Sequence, residues 1–232
     1  MLLSEARTPA DLVALVDRRA AGVPLEHILG WAQFCGLRIA VEAGVFVPRR
    51  RTESLVREAA ALARPGAVVL DMCCGVGAAG AALAAVFDRV EVYAADIDPA
   101  AVRCARRNLA AAGGRVYLGD LYEPLPVTLR GRVDVLIANA PYVPTGAIGL
   151  MPPEARIHEA QVALDGGPDG LDVLRRVAAG AAHWLTPGGH LLIETSRSQA
   201  ARAVAFVTES GLTARVVSSA DLDATAVIGT AH

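Results

Sequence analysis

From Ala67 onward, short apolar runs alternate with longer segments of helical period. Val68-Val69-Leu70, Val90 to Ala95, Arg115 to Leu118, Val133 to Ala138 and Leu191 to Glu194 are brief and rich in β-branched residues, which predicts buried strands. Gly77 to Val86, Pro99 to Ala112, Gly170 to Leu185 and Gln199 to Ser210 read as the intervening helices. Strands spaced by helices of that length predict a doubly wound α/β fold: a mostly parallel sheet with helices on both faces. Thr213 to Ser218 and Thr225 to Gly229 close the chain as an antiparallel hairpin, which brings the expected strands to seven.

The first third of the chain is patterned differently. Residues 8 to 21 predict one amphipathic helix, with Thr8 as cap, Pro9 at the first helical position and Leu12, Leu15 and Val16 as its apolar stripe. Gly22 ends it. Glycines at 30, 36 and 44 among apolar residues make 24–47 a β-hairpin-like linker, and Thr52 to Ala63 reads as a second amphipathic helix. The expected organisation is therefore a short N-terminal helix (1–23), a hairpin linker (24–47) and an α/β domain (48–232).

Composition narrows the function. Apolar residues make up 53% of the 232, so a sizeable core is expected, and a net charge of −2 argues against a general nucleic-acid binder. Lysine is absent and every basic side chain apart from histidine is arginine, a compositional habit that discounts arginine clusters as signals. The four cysteines show no metal-ligand spacing, so no metal site is expected, and reduced thiols suit a cytoplasmic protein. No stretch of 18 apolar residues and no signal sequence is visible, so a soluble protein without membrane contact is expected. Nothing in the sequence fixes the oligomeric state.

Candidate chemistry gathers at the strand ends, where open α/β sheets bind ligands. Asp71-Met72-Cys73-Cys74-Gly75-Val76-Gly77 joins the first strand to its helix, and its glycines let backbone approach a ligand. Asp96, followed by Ile97, ends the second strand and can accept hydrogen bonds from two ribose hydroxyls. Gly119-Asp120-Leu121 follows the third, and Asn139-Ala140-Pro141-Tyr142 the fourth. A nicotinamide site would also use glycines here, and Gly80 stands where its third glycine would fall. A carboxylate just ahead of the turn suits a cationic amino-acid moiety better than a pyrophosphate, which favours S-adenosylmethionine. Residues 142 to 169 form a long connection rich in Gly and Pro directly after this site.

Assembled, these residues resemble the release-factor and ribosomal-protein glutamine-N5 methyltransferases, a branch of the class I S-adenosylmethionine-dependent enzymes with a Rossmann-like sheet. The resemblance runs from about residue 24 to the end. It rests on Pro24-Leu25, Ile28-Leu29-Gly30, Pro48-Arg49, Thr52-Glu53, the Asp71 loop, Asp96, Asn139-x-Pro141-Tyr142, Glu159, Gly166-Gly167-x-Asp169-Gly170 and Pro187-Gly188-Gly189. It implies transfer of a methyl group from S-adenosylmethionine, leaving S-adenosylhomocysteine, to a glutamine amide of a protein such as a release factor or ribosomal protein. It implies cofactor contacts at Asp71, Cys73 to Gly77, Asp96, Ile97, Asp120, Leu121 and Asn139. Asn139, Ala140, Pro141 and Tyr142 would hold the target amide, with Arg49, Thr52 and Glu159 on the substrate side. Competing readings are a small-molecule or adenine amino-methyltransferase, or a silent cofactor binder.

Three departures from the family pattern carry expectations. Ala140 replaces a proline but keeps the backbone carbonyl, and Pro141 after it favours extended geometry. Cys73 replaces a glycine, so its backbone is expected in the β region, with the cysteine pair as small buried hydrophobes. One helix is expected where the family carries a helical docking domain. Arg50 and Arg51 read as solvated surface, Thr52-Glu53 as a helix cap, and Glu194 as an ambiguous group on the ligand edge.

Overall fold

The computed structural model describes residues 1–232. The N-terminal part holds α1 (Leu2–Glu5), α2 (Pro9–Ala20), α3 (Leu25–Leu29), β1 (Trp31–Phe34) and β2 (Leu37–Ala40). Thr8 caps α2 by accepting from the Asp11 N–H at 3.1 Å. The helix expected over 8–21 is α2, and a single turn, α1, precedes it. Residues 25–29, expected in the hairpin, close a single helical turn because Gly30, at φ 77, lets its N–H return to the Glu26 carbonyl. β1 and β2 pair antiparallel through Cys35-Gly36, both at positive φ, as a tight hairpin turn requires.

The remainder alternates: α4 (Thr52–Leu62), β3 (Val68–Met72), α5 (Ala78–Val86), β4 (Glu91–Asp96), α6 (Pro99–Asn108), β5 (Arg115–Leu118), β6 (Val133–Ala138), α7 (Pro153–His158), α8 (Asp172–Ala181), β7 (Leu185–Thr195), α9 (Ala200–Glu209), β8 (Thr213–Ser219) and β9 (Ala224–Thr230). The seven strands stand in the order β5-β4-β3-β6-β7-β9-β8. The first five are parallel, and β9 pairs antiparallel with both β7 and β8. The α/β reading of the sequence holds. Its helix over Gly170 to Leu185 is shorter, because Leu185 already pairs with Val133 and the strand runs on through Pro187-Gly188-Gly189 as a bulge in its pairing with β6.

Alternation along each strand feeds two cores of nearly equal size, 27 and 26 buried residues, so the sheet is covered on both faces. Val69, Val135 and Ile137 pack under α4, α5 and α6, while Leu70, Leu136 and Ala138 pack under α8 and α9. Strand order reverses between β3 and β6, which opens a crevice at their carboxyl ends. Asn139 and the loop after Met72 stand on either side of it. No helix is long and apolar enough to cross a membrane.

Candidate active site

A cavity of about 610 Å³ occupies that crevice. The strand ends contribute Cys73, Gly75, Asp96, Ile97, Asp120, Leu121, Asn139 and Pro141, which lie as far apart in sequence as residues 73 and 141. Thr145, Gln161, Val162 and Asp165 from the long connection, and Asp172, Val173 and Arg176 at the start of α8, complete its wall. The sequence reading missed these; the only signal was their place on and just after the Gly/Pro-rich segment.

The turn after β3 is built from left-handed residues: Cys73 at φ 54, Gly75 at 53 and Gly77 at 73. The expectation of a β-region Cys73 is overturned. The chain must reverse from strand to helix within five residues, and two hydrogen bonds to β4 force its path. The Cys74 N–H donates to the Ala95 carbonyl at 3.1 Å and the Gly75 N–H to Asp96 Oδ2 at 2.7 Å. Burial, reinforced by the Asp96 and Asp71 carboxylates, pushes both the Cys73 and Cys74 thiols well up. Cys74 is buried as expected, whereas Cys73 is only half-buried and faces the cavity. Not all of this loop faces the cavity. Cys74 and Val76 line a small inner void instead, and a Cβ at Gly77 would come within 3.1 Å of the Ala105 side chain on α6.

Asp71 is buried, and its Oδ2 accepts the Gly80 N–H at 2.9 Å, so it braces the first turn of α5. Burial pushes its pKa up to about 7, with the Gly80 bond opposing and the Asp96 charge adding to the rise. It faces the inner void, not the large cavity. Asp96 is different. Its two oxygens accept from the Gly75 and Asp98 N–H groups at 2.7 and 2.9 Å, which fixes the carboxylate with lone pairs still open to the cavity. Ile97 beside it is half exposed, and Leu121 sits at φ 46 after Asp120, whose carboxylate accepts from Arg176 at 2.7 Å.

Asn139 Nδ2 donates to Thr52 Oγ1 at 3.1 Å. Thr52, expected as a cap, makes no capping bond; it is buried and holds the asparagine. No protein donor reaches Asn139 Oδ1 or the Ala140 carbonyl. Of the four residues expected at the acceptor, Asn139 and Pro141 line the cavity, whereas Ala140, 1% exposed, and Tyr142, on a neighbouring hollow, do not. The Tyr142 hydroxyl donates to Glu194 Oε1 at 3.0 Å, and the Tyr142 carbonyl accepts from Gln199 Nε2 at 3.0 Å. Burial, with the Glu194 charge next, holds the phenol far above its usual range, so it remains a donor. Arg51, expected in solvent, approaches Glu194 Oε1 at 3.3 Å and lies 5.7 Å over the Tyr142 ring.

Arg49 and Glu159 were expected at the substrate. They bind each other instead, Nη2 lying 2.6 and 2.5 Å from the two carboxylate oxygens, and Glu159 also accepts from the Val47 N–H at 3.3 Å. The Glu159 side chain is 1% exposed, and neither residue lines the cavity. A carboxylate buried this deeply needs a cation, and Arg49 supplies it. The pair ties the stretch before α4 to the long connection, as does the bridge between Gly44 and Glu159.

The methyl donor implied by the sequence suits this cavity. Four carboxylates (Asp96, Asp120, Asp165 and Asp172) face one guanidinium, Arg176, itself paired with Asp120, so a cation is favoured. The volume fits a nucleoside with an aminoacyl tail. Asp96, Ile97 and Leu121 line the cavity together, a carboxylate beside two apolar side chains.

Residues 37–170 match the family model of the methyltransferase small domain. The release factor glutamine methyltransferase of Geobacter sulfurreducens is 39% identical over 208 residues, covering 88% of this chain and 72% of that protein. The 4-amino-L-phenylalanine/4-methylamino-L-phenylalanine methyltransferase of Streptomyces pristinaespiralis is 37% identical over 203 residues, covering 84% and 69%. Among solved structures, the T. thermophilus 16S rRNA N2 G1207 methyltransferase in complex with AdoMet and guanosine superposes with a TM-score of 0.61 at 20% identity, over 87% of this chain and 50% of that one. At that identity the likeness speaks for the fold.

Proposed function

The chain belongs to the release factor glutamine methyltransferase family of S-adenosylmethionine-dependent enzymes, and from that premise we propose that it methylates the side-chain amide nitrogen of a glutamine in a Gly-Gly-Gln segment of a release factor. S-adenosylmethionine, when bound, supplies an electrophilic methyl group on a sulfonium. The residues of this chain must then present the acceptor nitrogen in line with it.

One observation carries the reading. Two oxygens without protein donors, Asn139 Oδ1 and the Ala140 carbonyl, follow directly on a strand that ends at the cavity. An amide NH2 has two hydrogens, and each oxygen takes one. An amide nitrogen is a weak nucleophile because its lone pair is delocalised into the carbonyl; accepting both hydrogens returns electron density to it and fixes its direction. Tyr142 covers the flat amide and keeps water out. Positioning of this kind supplies roughly 7–11 kcal/mol of barrier lowering. Only the backbone of residue 140 is used, so alanine serves where the family has proline. Asp96, Ile97 and Leu121 hold the nucleoside, and the turn at Cys73 and Gly75 cradles the aminoacyl tail. The 143–169 connection, which lines the cavity, and residues 1–23, tied to it by the Arg19–Glu154 ion pair, serve acceptor docking. Four free cysteines and a release-factor acceptor suit the cytoplasm. A ribosomal protein is the other protein acceptor the family admits.

A second reading, methylation of an aromatic amine on a small molecule, is favoured by the S. pristinaespiralis relative. Labelled-methyl transfer separates them, with a full-length release factor, 4-aminophenylalanine and an oligonucleotide as acceptors. Label should enter the release factor and be lost when its glutamine is replaced. Asn139→Ala should abolish transfer while donor affinity falls only modestly. Transfer at a near-normal rate by Asn139→Ala refutes the amide grip.

A further inference from the structure

Glu194 stands one residue before the end of β7. Leu192 packs with Leu55 and Val56 of α4 while Ile193 packs on the opposite face, so strand alternation points Glu194 toward the start of α4. It is 2% exposed. Its Oε1 accepts from the Tyr142 hydroxyl at 3.0 Å and forms an ion pair with Arg51 Nε at 3.3 Å, while its Oε2, also buried, has no donor. The Arg51 guanidinium also lies over the Tyr142 ring. Three side chains from three elements thus close on one another around the phenol.

A buried carboxylate with one orphaned oxygen is a costly way to fill this position, and an apolar side chain would leave the Tyr142 hydroxyl without an acceptor. What the position supplies is an oxygen aimed at the phenol hydrogen from a fixed strand end. We propose that Glu194 is a positioning residue: it takes the Tyr142 phenol hydrogen and, steered by Arg51, sets the plane of the ring over the acceptor amide. This rests on the reading in which Tyr142 covers that amide. It makes the first turn of α4 a two-armed frame, Thr52 gripping Asn139 directly and Arg51 reaching Tyr142 through Glu194.

The test uses the full chain with labelled donor and a full-length release factor carrying Gly-Gly-Gln. Glu194→Ala and Tyr142→Phe should each lower kcat by on the order of tenfold, with calorimetric donor affinity unchanged within about twofold. The double variant should fall no further than the worse single one, because both break the same arm. Glu194→Gln still offers a carbonyl to the phenol and should recover most of the rate. A wild-type kcat in Glu194→Ala, multiplicative losses in the double variant, or a Glu194→Gln as slow as Glu194→Ala each overturns the proposal. Crystal structures without acceptor supply a readout independent of the glutamine reading. The Tyr142 ring should be displaced in Glu194→Ala and stay in place in Glu194→Gln; an unmoved ring in Glu194→Ala overturns the proposal even if the true acceptor is not a glutamine.

Discussion

Thr52→Val isolates the grip on Asn139. The change keeps the shape of a buried side chain and, since Thr52 makes no capping bond, leaves the start of α4 intact. It removes the acceptor 3.1 Å from Asn139 Nδ2. A lost hydrogen bond that strands a partly buried NH2 costs about 1–2 kcal/mol. For a chain of this size that is roughly 2–8 °C in Tm. If the same energy holds the Asn139 amide in its reactive orientation, kcat falls about 5- to 30-fold. Donor affinity should not move, because Thr52 does not line the large cavity. Initial rates of label transfer at saturating donor, with a thermal melt on the same sample, measure both quantities. Thr52→Ser, which keeps the hydroxyl, should restore both. A Thr52→Val enzyme with lowered Tm and unchanged kcat would show that the bond serves stability alone and that Asn139 needs no external orientation.

Arg49→Ala should destabilise the fold by about 2–3 kcal/mol in urea titration, because Glu159 keeps only the Val47 N–H, with the partial exposure of Arg49 holding the loss at the lower end. Gly170→Ala should cost about 2–3 kcal/mol and slow transfer: its φ is 76, and a Cβ would collide with the Tyr142 carbonyl and stand 2.6 Å from Gln199 Nε2. Gly211→Ala, at φ 85 but with nothing within 4 Å, should lose only the backbone share, about 1 kcal/mol. Asp71 has a folded pKa of about 7, above the ordinary 3.8, so the stability of its neutral form is complete below pH 4 and is lost as pH rises through 7. Asp71→Asn keeps an acceptor for the Gly80 N–H and should flatten that decline; denaturation midpoints from pH 4 to 8 that remain parallel to wild type would refute the assignment.

Periodicity made the sheet and its helices legible because the central strands β3, β4 and β6 are buried on both faces, which leaves short apolar runs with sharp ends, whereas β5 at the sheet edge is only partly buried. The candidate site was legible where a single residue at a strand end reaches the cavity, as at Asp96 and Asn139. It was illegible where function lies in pairing. Nothing local in the sequence joins Arg49 to Glu159 or Thr52 to Asn139, so residues that are partners were read as independent substrate contacts or caps. The Cys73 backbone failed for another reason: side-chain preference argued for a β conformation, and the hydrogen bonds to β4 overrode it. The short turn at Leu25–Leu29 was masked by the apolar residues that drew it into the hairpin pattern.

The side-chain pairs around the candidate site meet across long spans of chain: 87 residues separate Thr52 from Asn139, 110 separate Arg49 from Glu159, and 52 separate Tyr142 from Glu194. A polypeptide still emerging from the ribosome would hold its Asn139 well before β7 was available to fix Tyr142. The contact between Tyr142 and Glu194 therefore closes only once β7 has paired with β6, so the last parallel strand to be made completes the arm over the aromatic ring.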